Sequence, residues 1–182
     1  MTDAAERQDV DQAARRVSRL LDRLRLRVVF AESCTAGLVS ATLAQVAGIS
    51  QWLCGSAVTY REATKVAWLG VDRNDLDRYS AVSESVARQM AAGALRRTPE
   101  AAVAAAVTGH LGPDAPEELD GVVYVGLAQR RDADRSEVTQ VRRITLNSTE
   151  RVARQREAAA CVLLELETAL TALLEQRNES SG

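Results

Sequence analysis

Lys65 is the only lysine among the 23 Lys and Arg residues of this chain, and all the others are arginines. Arginine stays protonated in proteins, whereas burial can lower the pKa of a lysine until its amine acts as a base. Lysine at this one position therefore indicates a site where the side chain must lose its proton. The plainer alternative is that a single lysine persisted by chance in an arginine-rich chain.

Ser33 and Cys34 are the candidate nucleophiles, because they follow an apolar run at 28–31 that predicts a buried strand. A helix is predicted at 38–46, so the pair would lie beside N–H groups that have no intrahelical partner. Together with the helix dipole, such groups can activate a nucleophile and stabilise an oxyanion. A serine paired with a neutral lysine is a known form of nucleophile–base catalysis. The alternative for Ser33 is that its hydroxyl only caps the helix.

Three candidate residues lie at the ends of predicted strands, namely Ser33, Tyr60 and Thr108. Lys65 lies on a short helix just after Tyr60. The strands are predicted at 28–31, 52–60 and 101–107, and the short helix at 62–69. In an open α/β sheet, ligands bind beyond the carboxyl ends of the strands. If these strands run parallel, their terminal residues and Gly109 line one crevice.

The alternation of strands and helices predicts an α/β fold, arranged as a three-layer sandwich. We interpret residues 1–182 as one domain, with an N-terminal helix at 1–26, a C-terminal helix at 148–176 and a flexible tail at 177–182. Further strands are predicted at 122–128 and 138–145, and a further helix at 84–96. Alanine is a poor strand former, so the strand at 101–107 is predicted from its length and position.

The bulk composition excludes several function classes. The chain has 182 residues, of which 46% are hydrophobic and only 3% aromatic, so it can bury a sizeable core of Ala, Val and Leu. A net charge of −2 argues against a dedicated nucleic-acid binder. No apolar run is long enough to span a bilayer, and the polar N-terminus does not have the character of a signal peptide. The three cysteines fit neither a disulfide framework nor a zinc site. We expect a cytoplasmic protein that binds no metal, cofactor, nucleic acid or membrane.

Six short motifs occur in order along the chain. They are Ala31-Glu32-Ser33-Cys34-Thr35-Ala36-Gly37, Val58-Thr59-Tyr60 followed by Lys65, Leu69-Gly70-Val71, Ala81-Val82-Ser83, Thr108-Gly109 with Gly112-Pro113, and Gly121-Val122-Val123. In these motifs the chain resembles the C-terminal domain of the CinA competence/damage-inducible proteins, whose stand-alone members are nicotinamide-nucleotide amidohydrolases. The resemblance spans residues 28–128 and, more weakly, the last helix.

The resemblance implies a three-layer α/β/α sandwich with a mixed, mostly parallel sheet, and it favours a homodimer. It also implies a metal-independent enzyme that converts nicotinamide mononucleotide and water to nicotinate mononucleotide and ammonia. Ser33 would be the nucleophile, Lys65 its base, and Tyr60 a residue that holds Lys65 in place or relays a proton. The expected substrate contacts are Cys34, Thr35, Thr108, Gly109 and Arg151, with backbone N–H groups of the first two holding the oxyanion.

The chain departs from the family's pattern where a residue would meet the substrate phosphate. The family commonly has Gly-Asp-Arg before its last helix, whereas this chain has Thr149-Glu150-Arg151. One alignment places Thr149 at the arginine's position, another retains the arginine as Arg151, and Arg154 is a further candidate. The alternative functions are therefore a diverged protein that binds a nucleotide or a partner without turnover, and an amidohydrolase for a different small amide. Ala36 also replaces a family glycine, and its methyl group is expected to narrow the crevice.

Overall fold

A mixed five-stranded sheet forms the centre of the computed structural model, which describes residues 3–132 and 135–180. Its strands are β1 (Val28–Glu32), β2 (Leu53–Val58), β3 (Val103–Gly109), β4 (Val122–Asp132) and β5 (Arg135–Thr145). They lie in the order β2-β1-β3-β4-β5, with β1 parallel to both of its neighbours and β4 antiparallel to both of its own. β1, β2, β3 and β5 therefore run in one direction and β4 runs opposite to them, which confirms the predicted mixed, mostly parallel sheet.

Helices cover both faces of this sheet. They are α1 (Asp3–Leu24), α2 (Leu38–Ala44), α3 (Glu62–Thr64), which continues as a π-helical turn (Lys65–Leu69), α4 (Arg73–Tyr79), α5 (Glu84–Arg97) and α6 (Arg151–Glu179). α1, α2 and α6 pack on one face, while α4, α5 and the π-helical turn pack on the other. The predicted α/β fold and its three layers are therefore confirmed. In the described part of the chain, no helix combines the length and apolar character needed to cross a membrane.

Two helices differ from the sequence prediction. α4 is short and buries only Leu76, so it carries no apolar periodicity that would reveal it. α6 continues to Glu179, which makes residues 177–179 of the predicted flexible tail helical. Residues 181–182 of that tail lie outside the described residues.

The side chains of β1 alternate between the two helical layers. Val28 and Phe30 pack with α1, α2 and α6, whereas Val29 and Ala31 pack with α5. Because successive side chains of a strand point to opposite faces, a strand covered on both faces is apolar throughout. Glu32 ends β1 as a charged exception, and it is buried as well.

Small residues bring α5 close to the sheet. Ala104 and Ala106 of β3 face α5, and a Cβ at Gly126 of β4 would lie 2.6 Å from the carbonyl oxygen of Ala87 in α5. Larger side chains at these positions would push the helix away from the strands. The close packing explains why alanine occurs in a central strand despite its low strand propensity.

Gly93 of α5 lies against the π-helical turn that begins with Lys65, where an added Cβ would be 2.0 Å from the carbonyl oxygen of Leu69. We expect Gly93→Ala to lower the free energy of unfolding by about 1–3 kcal/mol through overpacking. Helix propensity alone predicts the opposite, a gain of about 1 kcal/mol. Urea unfolding measures the change, with Ala92→Gly in the same helix as the control for propensity. A more stable Gly93→Ala variant would show that α5 does not press on this turn.

Candidate active site

Ser33 and Lys65, the predicted nucleophile and base, lie in direct contact. Ser33 follows β1, Lys65 begins the π-helical turn, and Nζ lies 2.7 Å from Oγ. The carbonyl oxygen of Thr59, just after β2, accepts a second hydrogen bond from Nζ at 2.6 Å. The contact forms because β1 and β2 are parallel neighbours, so the segments that follow them begin at the same edge of the sheet.

Burial lowers the pKa of Lys65 from 10.5 to about 8, and the residue is 1% exposed. Desolvation disfavours the charged ammonium form, while Cys34 and Glu62 raise the pKa by a smaller amount. The two groups that contact the amine are a hydroxyl and a backbone carbonyl, neither of which carries a compensating charge. A pKa near 8 leaves an appreciable fraction of neutral amine at neutral pH, which can take a proton from Ser33.

Glu32, the last residue of β1, is a buried carboxylate that organises the turn around Ser33. It accepts hydrogen bonds of 2.8–3.0 Å from the N–H groups of Gly37, Val39 and Ser40 and from the hydroxyls of Thr35, Ser40 and Ser56. The N–H groups lie at the start of α2, where the helix dipole also favours a carboxylate. This network compensates the buried charge and fixes the turn. Glu32 is not among the residues predicted for the site, although an acidic residue ending an apolar strand is a signal for such a role.

In the described residues, two N–H groups of the turn after β1 have no oxygen acceptor, although both interact with the thiol of Cys34. The N–H of Ser33 donates to the carbonyl of Val107, and the N–H of Ala36 donates to the carbonyl of Ser33, each at 3.0 Å. Among the residues that the structure describes, no oxygen accepts a hydrogen bond from the N–H of Cys34 or Thr35. These two N–H groups can therefore donate to an oxyanion that forms next to Ser33.

The side chains of Cys34 and Ala36 contribute little to the chemistry of the turn. Burial raises the pKa of the Cys34 thiol to about 12, so the thiol stays protonated and does not compete with Ser33 as a nucleophile. Ala36 has a φ of +52°, in the left-handed region that favours glycine. It is exposed and does not line the pocket above Ser33, so the expectation that its methyl group narrows the crevice is wrong.

An open pocket of about 220 Å³ lies over Ser33 and Lys65. It is formed by the turn after β1, by Tyr60, by residues 108–113 after β3 and by Arg151. Of the eight residues expected at the site, all except the buried Thr35 line this pocket. Within residues 3–132 and 135–180, no group of His, Cys, Asp and Glu side chains is arranged to hold a metal ion.

Tyr60 lies at the mouth of the pocket and is 55% exposed. Its hydroxyl accepts a hydrogen bond from the guanidinium of Arg151 at 2.9 Å. The group that holds Lys65 is therefore the carbonyl of Thr59 and not the phenol of Tyr60. Tyr60 connects the segment after β2 to α6 across the pocket.

Thr108 is buried at the carboxyl end of β3, and its hydroxyl donates to the carbonyl of Ala81 at 2.7 Å. This bond holds the segment that precedes α5 against the sheet, so that Ala81 also lines the pocket. Because the hydroxyl proton is already donated, Thr108 can offer a ligand only its acceptor lone pairs. Gly109 and His110 continue the same wall of the pocket.

The structure separates the three candidates for the phosphate contact. Arg151 lines the pocket, and its guanidinium also donates to the carbonyl of Gly112. Arg154 is bound at two atoms to the carboxylate of Asp120, at 2.7 and 2.8 Å, and these hydrogen bonds lower the pKa of Asp120. Thr149 lines a different hollow, between α1 and α6. Of the three, only Arg151 presents its side chain to the pocket.

Comparisons with known proteins extend over most of the chain. The family model of the CinA C-terminal domain matches residues 10–170. A CinA-like protein from Mycobacterium sp. (strain JLS) is 46% identical over 117 residues, which are 64% of this chain but only 27% of that protein. The chain spans about a quarter of the length of the curated relatives it matches, for example 27% of a protein from Halothermothrix orenii and 28% of one from Leptospira borgpetersenii.

Two solved structures share the fold over nearly their whole length. The competence/damage inducible protein CihA from Agrobacterium tumefaciens is 33% identical with a TM-score of 0.81, over 90% of this chain and 96% of that one. The competence damage-inducible protein A from Klebsiella pneumoniae is 26% identical with a TM-score of 0.80, over 89% of this chain and 97% of that one. The sequence motifs and the architecture therefore agree on the same group of proteins.

The lowered pKa of Lys65 makes the stability of the fold depend on pH. Between about pH 8 and 10.5 the unfolded chain keeps a lysine proton that the folded protein has lost, so the contribution of Lys65 to the free energy of unfolding rises with pH. Relative to Lys65→Met, which removes this titration, the wild type is expected to gain up to about 3 kcal/mol over that interval. Urea unfolding of both proteins at several pH values measures the difference. A difference that does not change with pH would show that Lys65 is not desolvated.

Proposed function

Because the chain belongs to the CinA C-terminal domain family, we propose that it is an amidohydrolase that converts nicotinamide mononucleotide and water to nicotinate mononucleotide and ammonia. The observation that carries this proposal is the 2.7 Å contact between the buried amine of Lys65 and the hydroxyl of Ser33 in a pocket. The choice of substrate follows from the motif resemblance, since stand-alone members of that family act on nicotinamide nucleotides.

The first half of the proposed reaction forms an ester on Ser33. Neutral Lys65 takes the hydroxyl proton, and Oγ attacks the carboxamide carbon on the pyridine ring. The carbonyl oxygen becomes an oxyanion, to which the N–H groups of Cys34 and Thr35 donate. When the oxyanion collapses, the C–N bond breaks and the protonated amine of Lys65 gives its proton to the departing ammonia.

The second half of the reaction releases the acid. Lys65, neutral again, takes a proton from water, and the water oxygen attacks the ester carbonyl while the same N–H groups bind the oxyanion. The ester bond to Ser33 then breaks, and Lys65 returns the proton to Oγ. The carbonyl of Thr59 keeps the amine aligned throughout, because it accepts one N–H of the side chain in either protonation state.

Arg151 is the proposed contact for the phosphate of the nucleotide. It lines the same pocket as Ser33, and a guanidinium can bind two phosphate oxygens at once. Its present partners, the carbonyl of Gly112 and the hydroxyl of Tyr60, are neutral acceptors. A phosphate is a stronger acceptor than either, so substrate binding would draw the guanidinium toward the ligand.

The wild-type protein is expected to release ammonia from nicotinamide mononucleotide, with kcat reduced about a thousandfold or more in Ser33→Ala and in Lys65→Arg. The second variant keeps the positive charge but cannot lose its proton, so it tests the base specifically. Ammonia release in a coupled assay is the measurement, and Ser50→Ala, at an exposed serine, is the control. Equal ammonia production by the wild type and Ser33→Ala, or a normal rate in Lys65→Arg, would refute the mechanism.

Arg151→Ala is expected to raise the KM for nicotinamide mononucleotide about 10- to 100-fold, because a charge-assisted contact with the phosphate is lost. The same variant should leave the KM for nicotinamide riboside, which has no phosphate, within about threefold of the wild type. Steady-state kinetics on both compounds measure this, and Arg61→Ala removes an exposed arginine that does not line the pocket as a control. Equal effects on the nucleotide and the riboside would show that Arg151 does not bind phosphate.

A further inference from the structure

Gln155 of α6 is hydrogen-bonded to the turn that holds the proposed nucleophile. Its Nε2 donates to the carbonyl oxygen of Cys34 at 3.3 Å and to that of Thr35 at 3.2 Å. Gln155 lies one helical turn after Arg151, which lines the pocket, so α6 presents both side chains toward the same region. The proposed function assigns no role to Gln155.

The two hydrogen bonds fix the direction of a backbone N–H. The peptide bond between Cys34 and Thr35 is trans, and in a trans peptide the C=O and N–H point in opposite directions. Because Gln155 holds the carbonyl of Cys34 toward its own side chain, the N–H of Thr35 points away from it. The next peptide shows the same relation, since the carbonyl of Thr35 faces Gln155 while the N–H of Ala36 donates to the carbonyl of Ser33.

The N–H of Thr35 lies on the side of its peptide opposite to Gln155. It lies near the thiol of Cys34, which lines the pocket, and together with the N–H of Cys34 it partly offsets the effect of burial on the pKa of that thiol. The hydroxyl of Thr35 donates to Glu32 at 2.8 Å, and its carbonyl accepts from Gln155. Among the described residues no oxygen accepts from its N–H, which is therefore the polar group of Thr35 that a ligand can use.

We propose that Gln155 is a positioning residue that holds the peptide between Cys34 and Thr35 so that the N–H of Thr35 donates to the oxyanion. The inference rests on the proposed role of Ser33 as the nucleophile. Without the side-chain amide of Gln155 this peptide can rotate, while the contacts that Glu32 makes to the same turn persist. The resulting loss is in transition-state stabilisation and not in substrate binding.

Two substitutions close in size to glutamine distinguish positioning from simple anchoring of α6. Gln155→Met removes the donor. Gln155→Glu replaces it with a carboxylate that repels both carbonyls and attracts the N–H of Thr35, which turns the peptide away from the pocket. An anchoring role predicts similar losses in both variants, whereas positioning predicts the larger loss in Gln155→Glu. Gln176→Glu, the same change at an exposed position of α6, is the control for the added charge.

The reaction of Ser33 with an alkyl fluorophosphonate measures the oxyanion site independently of the natural substrate. Oγ forms a bond to phosphorus, fluoride leaves with the P–F electron pair, and Lys65 takes the serine proton. The phosphonyl oxygen occupies the position of the oxyanion, so the rate depends on the same N–H groups. Intact-protein mass spectrometry gives this rate, and kcat and KM for ammonia release from nicotinamide mononucleotide are measured on the same variants.

We expect the labelling rate and kcat to fall about 10-fold in Gln155→Met and about 100-fold in Gln155→Glu, with KM within about threefold and the control unchanged. Unchanged rates, equal losses in the two variants, or a loss confined to KM would overturn the inference, as would a wild-type protein that is not labelled at Ser33. A wild type that is labelled but releases no ammonia would contradict the proposed function alone, and the labelling rates would still decide the role of Gln155.

Discussion

A buried charged group must either be compensated by hydrogen bonds or lose its charge, and both outcomes occur in the two buried groups that contact the turn after β1. Glu32 and Lys65 are each 1% exposed. The carboxylate of Glu32 is surrounded by donors from α2 and from neighbouring hydroxyls, so its surroundings match an acceptor. Among the described residues, the amine of Lys65 is hydrogen-bonded only to a hydroxyl and a backbone carbonyl, and burial lowers its pKa to about 8. One group stabilises the turn, and the other has the lowered pKa that the proposed base needs.

The position of Ser33 depends on elements that are distant in sequence. β3 accepts a hydrogen bond from its N–H, α2 is joined to the turn through Glu32, and α6 reaches the turn through Gln155. Lys65 approaches from the opposite helical layer, on a π-helical turn against which α5 packs at Gly93. Because each element belongs to the packed sandwich, the proposed nucleophile and its proposed base are held in place before any ligand arrives. Such preorganisation is the main source of electrostatic catalysis in enzymes.

Local signals predicted more of this protein than long-range ones. The α/β class follows from the alternation of strands and helices, and Ser33 and Lys65 are recognisable from a strand-to-helix turn and a single lysine. The order of the strands in the sheet could not be predicted from the residues, because pairing depends on contacts between strands that are distant in sequence. Arg151 and Arg154 are three positions apart and chemically identical, and only the fold shows that a distant carboxylate occupies the second. Gln155 contacts the turn through two carbonyl oxygens, so no pattern of residue types reveals it.

Burial acts with opposite sign on the two ionisable groups beside Ser33. It raises the pKa of Cys34 to about 12 and lowers that of Lys65 to about 8, so near neutral pH the thiol keeps its proton while a fraction of the amine loses its own. A cysteine nucleophile needs its thiolate, whereas a serine can give up its proton to a base during the attack. The same buried environment therefore makes Cys34 a poor nucleophile and is compatible with Ser33 as one.

An arginine in place of Lys65 would remain charged under this burial, and the hydroxyl and carbonyl that contact the amine offer no counter-charge. The chemistry of the site thus accounts for lysine at the one position where arginine would fail.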